Sequence, residues 1–213
     1  MIGILNYGVG NLRSVYNAFE YLNKNVFFIN SPGDFKKASG VVIPGVGHFK
    51  SGMTNIVEKN FHDPLNFYVK KKKIPCLGIC LGMQLMAELG LEGDENKGLR
   101  WVPAIVKRID YDMKNFKLRL PHIGWNEIKI TRKNSALFKG MEIPSFYFVH
   151  SYFVSFEGTS NKEEYVTSSV DYGADITASF EKENIFAVQF HPEKSQQDGI
   201  KLLENFLKIT KNA

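Results

Sequence analysis

Cysteine is almost absent: the 213 residues hold two, Cys76 and Cys80. Two thiols four residues apart make no disulfide framework and favour a reducing, cytoplasmic home. Their spacing also lacks a second ligand pair, so zinc is not expected. No apolar run approaches membrane-spanning length, and the N-terminus lacks a signal-peptide layout, so no membrane association is expected. Linkers, internal repeats and low-complexity segments are missing too. One domain over residues 1–213 follows. Acidic residues are the scarcer charge, 22 against 27 Lys and Arg, for a net charge of +5. Part of that surplus is the run Lys70 to Lys73, which closes an expected helix just before a strand. Cations suit that helix end, and no basic repeat or aromatic interleaving accompanies them, so nucleic acid is not an expected partner.

What remains is ordinary globular material, 44% hydrophobic and 23% charged, in a chain long enough to bury a substantial core. The first half alternates strand and helix. "IGILNY", "VFFIN", "GVVIPG" and "IPCLGIC" read as strands. Leu12, Val15, Tyr16, Phe19 and Leu22 share one helix face, a helix is expected over about residues 52–72, and another from about Leu81. Short apolar runs separated by helices predict a parallel sheet. After Gly98 the strand-like runs "WVPAIVKRI", "IGWNEIKI", "FYFVHSYFV" and "EYVTSSVDYG" follow with little helix between them. A hairpin turning at Glu183-Asn184 and a helix from about Ser195 to Thr210 end the chain. The expected fold is α/β: a flavodoxin-like, doubly wound, mostly parallel sheet with helices on both faces, carrying an antiparallel region in the second half.

Two glycine pairs follow strands, Gly8-Val9-Gly10 and Gly45-Val46-Gly47, but Arg13 and Lys50 stand where a dinucleotide fingerprint needs its third glycine. No Rossmann cofactor is expected, and no other cofactor. The informative stretch is Gly78-Ile79-Cys80-Leu81-Gly82, between an apolar run and a helix. A nucleophile on so sharp a turn needs small neighbours two residues away, and the first helical amides then face it. Cys80 fits that place; Cys76, inside the strand, reads as a small buried apolar residue. Of five histidines, His191 in "AVQFHPEKS" ends an apolar run, held extended by Pro192, with Glu193 two residues on and on the same side. A carboxylate there fixes the imidazole tautomer and supports its charged form. Cys80, His191 and Glu193 make a candidate triad. His48, His62 and His122 read as loop histidines with surface or structural roles, and His150 as a core histidine.

The motifs "GICLGMQ" and "FHPEKS" together resemble the class I (triad) glutamine amidotransferases. "NYGVGNLRSV", "IPGVGHF", "LPHIGWNEI" and "YFVHSYF" narrow the likeness to the glutaminase subunits of imidazole glycerol phosphate synthases, from residue 2 to about 207. The resemblance implies that Cys80 attacks the side-chain amide of glutamine, His191 shuttles the proton and Glu193 orients it. It implies an oxyanion hole from the Leu81 amide and the Pro44–Gly47 strand (Val46, Gly47). Gly45, Gln84, Glu92, Ser151 and Tyr152 would hold glutamine. Trp125 and Asn126 would face a (βα)8-barrel cyclase, the heterodimer partner that makes imidazole glycerol phosphate and the aminoimidazole carboxamide ribotide by-product in histidine biosynthesis. Three departures leave the triad untouched: Asn6 for an aspartate, Ala104 for a glycine, and a lengthened stretch around Tyr111 to Asn115. They admit a paralogue supplying ammonia for amidino sugars of surface polysaccharides. A stand-alone cysteine hydrolase and a non-catalytic binding module are the readings from other classes.

Overall fold

The computed structural model describes residues 1–22, 24–110 and 118–211, so the lengthened stretch around Tyr111 to Asn115 lies outside the described residues. In chain order the first half holds β1 (Ile2–Leu5), α1 (Leu12–Tyr21), β2 (Val26–Ile29), β3 (Gly40–Ile43), α2 (Phe49–Glu58), α3 (His62–Leu65), β4 (Cys76–Ile79) and α4 (Leu81–Gln84). The second half adds β5 (Leu89–Gly90), β6 (Asn96–Lys97), β7 (Ile105–Arg108), β8 (His122–Glu127), β9 (Lys129–Ile130), β10 (Ser145–His150) and β11 (Tyr152–Ser155). It closes with β12 (Val166–Asp171), β13 (Asp175–Lys182), β14 (Ile185–Val188) and α5 (Gln196–Ile209).

The main sheet runs β2-β1-β3-β4-β14-β13-β12-β9. Its first five strands are parallel neighbours, and from β14 onward each pairing is antiparallel. The parallel part has the flavodoxin-like order, with the last strand contributed by the C-terminal region. β1, β3, β4 and β14 are apolar and buried at every position. Runs without alternation are what a parallel sheet covered on both faces requires. On one face α1 and α5 pack Val15, Phe19, Leu202, Leu203 and Phe206; on the other α2 and α3 pack Phe49, Ile56 and Leu65. Fully burying one such side chain contributes about 1.5–3 kcal/mol. Two smaller sheets, the β8–β10 ribbon and β11-β7-β5-β6, flank this core. The α/β class, the parallel first half and the antiparallel second half agree with the sequence reading, and Glu183 has the positive φ of a hairpin turn.

Two expectations fail for identifiable reasons. The helix over residues 52–72 is broken: α2 stops at Glu58, and Asn60 takes a left-handed φ of 57°. The Asn60 amide donates to Val57 O and the Phe61 amide to Ile56 O, both at 2.9 Å. That is a Schellman stop, sealed by the buried Phe61. The helix expected from about Leu81 is present as Leu81–Gln84, and it ends there because the carbonyls of Leu85, Met86 and Ala87 accept from the amides of Leu99, Trp101 and Arg100. "FYFVHSYFV" is two strands, since the chain leaves β8 for β7 at Ser151.

Candidate active site

The parallel strands β1, β3, β4 and β14 deliver four loops to one edge of the sheet, the place where open α/β sheets bind their ligands. Cys80 follows β4 with φ 52° and ψ −108°, a strained conformation for a residue with a side chain. Its flanking glycines are obligatory. A Cβ on Gly78 would lie 2.8 Å from Gly82 O and Met83 N, and one on Gly82 would lie 1.7 Å from Ile43 O. The amide of Cys80 donates to Val188 O at 2.8 Å, tying the elbow to β14. Cys76 is buried completely, and burial pushes its thiol well above the ordinary range, in keeping with an inert apolar role.

His191 and Glu193 come from the loop after β14, with Nδ1 of the ring 2.7 Å from Oε1 of the carboxylate and both side chains 3% exposed. Nε2 of His191 and Oε2 of Glu193 are buried without a hydrogen-bond partner. Burial alone favours a neutral ring. The neighbouring Cys80 sulfur and the Glu193 carboxylate outweigh it and raise His191 to about 10. That environment favours an imidazolium, with Nδ1 tied to Glu193 and the other nitrogen left to the Cys80 sulfur. Ser195 fixes the loop: its hydroxyl donates to His191 O at 2.6 Å and accepts from the Tyr147 amide at 3.0 Å.

The loop after β3 forms the opposite wall. Gly47 has φ 112° with open space around it, and Val46 is exposed. The amide of Leu81 donates to Gly45 O at 3.3 Å. Gln84 turns inward, where its Nε2 donates to Tyr152 O at 2.9 Å and to Gln189 Oε1 at 3.2 Å. Glu92 lies at the rim of the same loop: it accepts from the Phe49 amide at 2.8 Å, capping α2, and its other oxygen is 3.0 Å from His48 Nδ1. Ser151 and Tyr152 form the junction of β10 and β11, and the Ser151 carbonyl accepts from Ile109 N at 2.9 Å. Trp125 and Asn126, being adjacent on β8, take opposite faces. Trp125 projects outward beside Ile123, while the amide of Asn126 turns inward to His122.

Sequence reading passed over several groups at this edge. Gln189, fully buried, aims Nε2 at Cys80 Sγ from 3.6 Å. Its place one residue past β14 and two before His191 was the available signal. Tyr7, buried after β1, donates its hydroxyl to Pro44 O at 2.7 Å and so anchors the base of the Gly45–Gly47 loop. Burial, with Cys80 nearby, keeps that phenol protonated far above its usual range. His122 is no loop residue. It lies wholly buried on β8, its ring stacked on Phe148 and Tyr172, with Nδ1 3.1 Å from His150 Nε2. Its inward position follows from the pleat of β8, which the loop reading had removed. His150 is a core residue, as expected.

An elbow cysteine, a histidine and carboxylate one strand away and a glycine loop across from them sit on a sheet whose fold recurs in solved structures. One is described as the crystal structure of glutamine amidotransferase (TM-score 0.75, 18% identity, 99% of this chain and 98% of that one). Another is a glutamine amidotransferase from Thermotoga maritima (TM-score 0.64, 16% identity, 99% of this chain and 84% of that one). At these identities they speak for the fold. The sequence profile of the family described as glutamine amidotransferase class-I matches residues 4–210, and the chain belongs to that family. Within it, the chain is 44% identical over 210 residues to imidazole glycerol phosphate synthase subunit HisH 1 of Campylobacter jejuni strain RM1221, covering 98% of this chain and all of that one. It is 39% identical over 209 residues to subunit HisH of Leptospira borgpetersenii, again over 98% of this chain and all of the relative.

Proposed function

We propose that the chain is the glutaminase subunit of an imidazole glycerol phosphate synthase, cytoplasmic and acting as one domain over residues 1–213. The observation that carries the chemistry is Cys80 on its strained elbow beside a His191 that is locked at Nδ1 by Glu193 and left to face the Cys80 sulfur with its other nitrogen. In this reading the Cys80 thiolate adds to the carboxamide carbon of glutamine. The C–N bond then breaks, ammonia leaves with a proton from His191 Nε2, and a thioester remains. Water, giving its proton back to His191, hydrolyses the thioester to glutamate and frees the thiolate. Glu193 holds the ring in the one tautomer that serves both steps. Gln84, Gly45, Ser151 and Tyr152 line the place for the amino acid, and Glu92 closes its rim.

The Leu81 amide is the first oxyanion donor, and it is occupied by Gly45 O. That carbonyl belongs to the same peptide as the Val46 amide. Turning this one peptide over, which the glycines at 45 and 47 permit, uncovers Leu81 N and swings Val46 N inward beside it. A missing oxyanion donor is worth about 2.7–4 kcal/mol of barrier, so the resting peptide keeps the site nearly silent until it turns. Ammonia freed into water becomes ammonium, a poor nucleophile, so the product must pass directly to an acceptor. The outward pair Ile123 and Trp125 on β8 offers an exposed apolar docking face for the cyclase barrel. The relatives carry the name of the synthase that joins the two activities.

The test is glutamate release by the chain alone and with the histidine-pathway cyclase and its nucleotide substrate. Strong stimulation is the expected result. Glutamate release that the cyclase never raises would move the protein to another ammonia-consuming pathway, and no release at all would overturn the glutaminase reading.

A further inference from the structure

Between the docking ribbon and the catalytic thiol runs an unbroken series of buried and half-buried polar contacts. Asn126 Oδ1 lies 2.9 Å from His122 Nε2, and His122 Nδ1 lies 3.1 Å from His150 Nε2. His150 Nδ1 lies 2.9 Å from Tyr152 O, which also accepts from Gln84 Nε2. Gln84 in turn donates to Gln189 Oε1, and Gln189 Nε2 points at Cys80 Sγ. A carbonyl can only accept, so His150 carries its proton on Nδ1 and presents a bare Nε2. His122 must then donate from Nδ1 to that bare nitrogen. Its own Nε2 is left as an acceptor, and the Asn126 amide, whose two ends fill nearly the same volume, meets it with NH2. From that end every donor has one acceptor, and each orientation fixes the next. Among the described residues the rings have no carboxylate beside them, and burial holds both below the ordinary histidine range.

We propose that His122 and His150 are positioning residues for glutamine turnover: as a neutral, tautomer-locked pair they hold the Tyr152 carbonyl, and through it Gln84 and Gln189, in the one orientation that serves Cys80. This rests on the glutaminase reading above. It assigns the pair no contact with the reacting atoms. The work lies in orienting a backbone carbonyl at the β10–β11 junction, in addition to the pairing of Tyr152 with Arg108 of β7. It also links the inner side of the ribbon that bears Trp125 to the thiol through groups that cannot reorient singly.

The test compares His150→Phe, which removes both nitrogens, with His150→Asn, which keeps a donor near the position of Nδ1. Losing one buried neutral hydrogen bond corresponds to roughly a tenfold effect. His150→Phe is expected to raise the glutamine KM about tenfold with a smaller loss in kcat, and His150→Asn to restore KM to within about threefold of wild type. An unchanged KM in His150→Phe, or equal damage in both variants, would overturn the proposal. Should His150→Phe not fold, His122→Phe keeps the stack on Phe148 and Tyr172 while removing the donor, and its KM must rise in the same direction. Imidazole 15N–1H spectra of the wild-type chain give a readout apart from activity. Two neutral rings protonated at Nδ1 are expected at neutral pH, and a proton on Nε2 of His150 overturns the assignment. Wild-type turnover tests the glutaminase reading itself; a wild type inert toward glutamine would remove that reading and the role together, whatever the spectra show.

Discussion

Two buried pairs that contain histidine lie near one another, and their rings are shifted in opposite senses. At the triad corner, His191 faces a carboxylate and a thiol and is raised to about 10. In the ribbon, His150 faces another imidazole and a carbonyl and is lowered to about 3, by burial first and by the His122 ring second. Both rings are removed from water, so burial cannot be what separates them. The neighbour decides: an anion pulls a proton onto a buried ring, and a neutral acceptor only orients it. One pair is thus built to move a proton and the other to refuse one.

The comparison can be broken most severely at Glu193. Glu193→Gln removes the anion but keeps the shape, and glutamate release should fall by about a thousandfold or more, read as kcat, because the ring loses both its tautomer and its charge support. A smaller loss would mean that Cys80 alone holds the ring. The next effect is on stability against pH. For His191 the folded value lies above the free one, so its stabilising contribution is complete below about 6.5, shrinks above it and is gone once pH has passed about 10. For His150 the folded value lies below the free one. Stability is then full above about 6.5 and falls as pH drops toward 3, where the unfolded ring binds the proton that the folded ring refuses. Melting temperature against pH should decline on both sides, with Glu193→Gln flattening the alkaline limb and His150→Asn the acid limb. The smallest effect is at the other thiol. Cys76→Ala should lower stability by about 1–2 kcal/mol in denaturant unfolding and leave glutamate release unchanged, since it removes only a buried sulfur from β4.

What could be read from the sequence follows the same divide. The elbow, the His191–Glu193 pair and the parallel strands depend on residues within five positions of one another, so spacing alone exposes them. The stop at Asn60 was visible in principle, an asparagine ahead of a phenylalanine, yet the apolar periodicity on either side of it reads as one helix. The split of "FYFVHSYFV" at Ser151 carries no local mark, because both halves keep strand composition and only their partners differ. His122 and His150 stand 28 residues apart, and their meeting depends on the antiparallel register of β8 and β10. Gln84 and Gln189 are farther apart still, joined only through the order of β4 and β14 in the sheet. Contacts set by register or strand order leave no signature in spacing.

The contact of 1.7 Å that a methyl at position 82 would make with Ile43 O has a bearing on redesign. The far end of the elbow and the last residue of β3 share a common datum with no clearance between them, so a library that varies residues 78 or 82 would sample mostly misassembled proteins. Freedom lies across the cleft. Among the described residues, chain neighbours aside, nothing lies within 4 Å of where a Cβ on Gly47 would stand, and Val46 faces solvent, so a search for altered amide specificity has room at Val46 and in the residues beyond it. The backbone at 47 must still be a glycine, because its φ of 112° excludes side chains whatever the space.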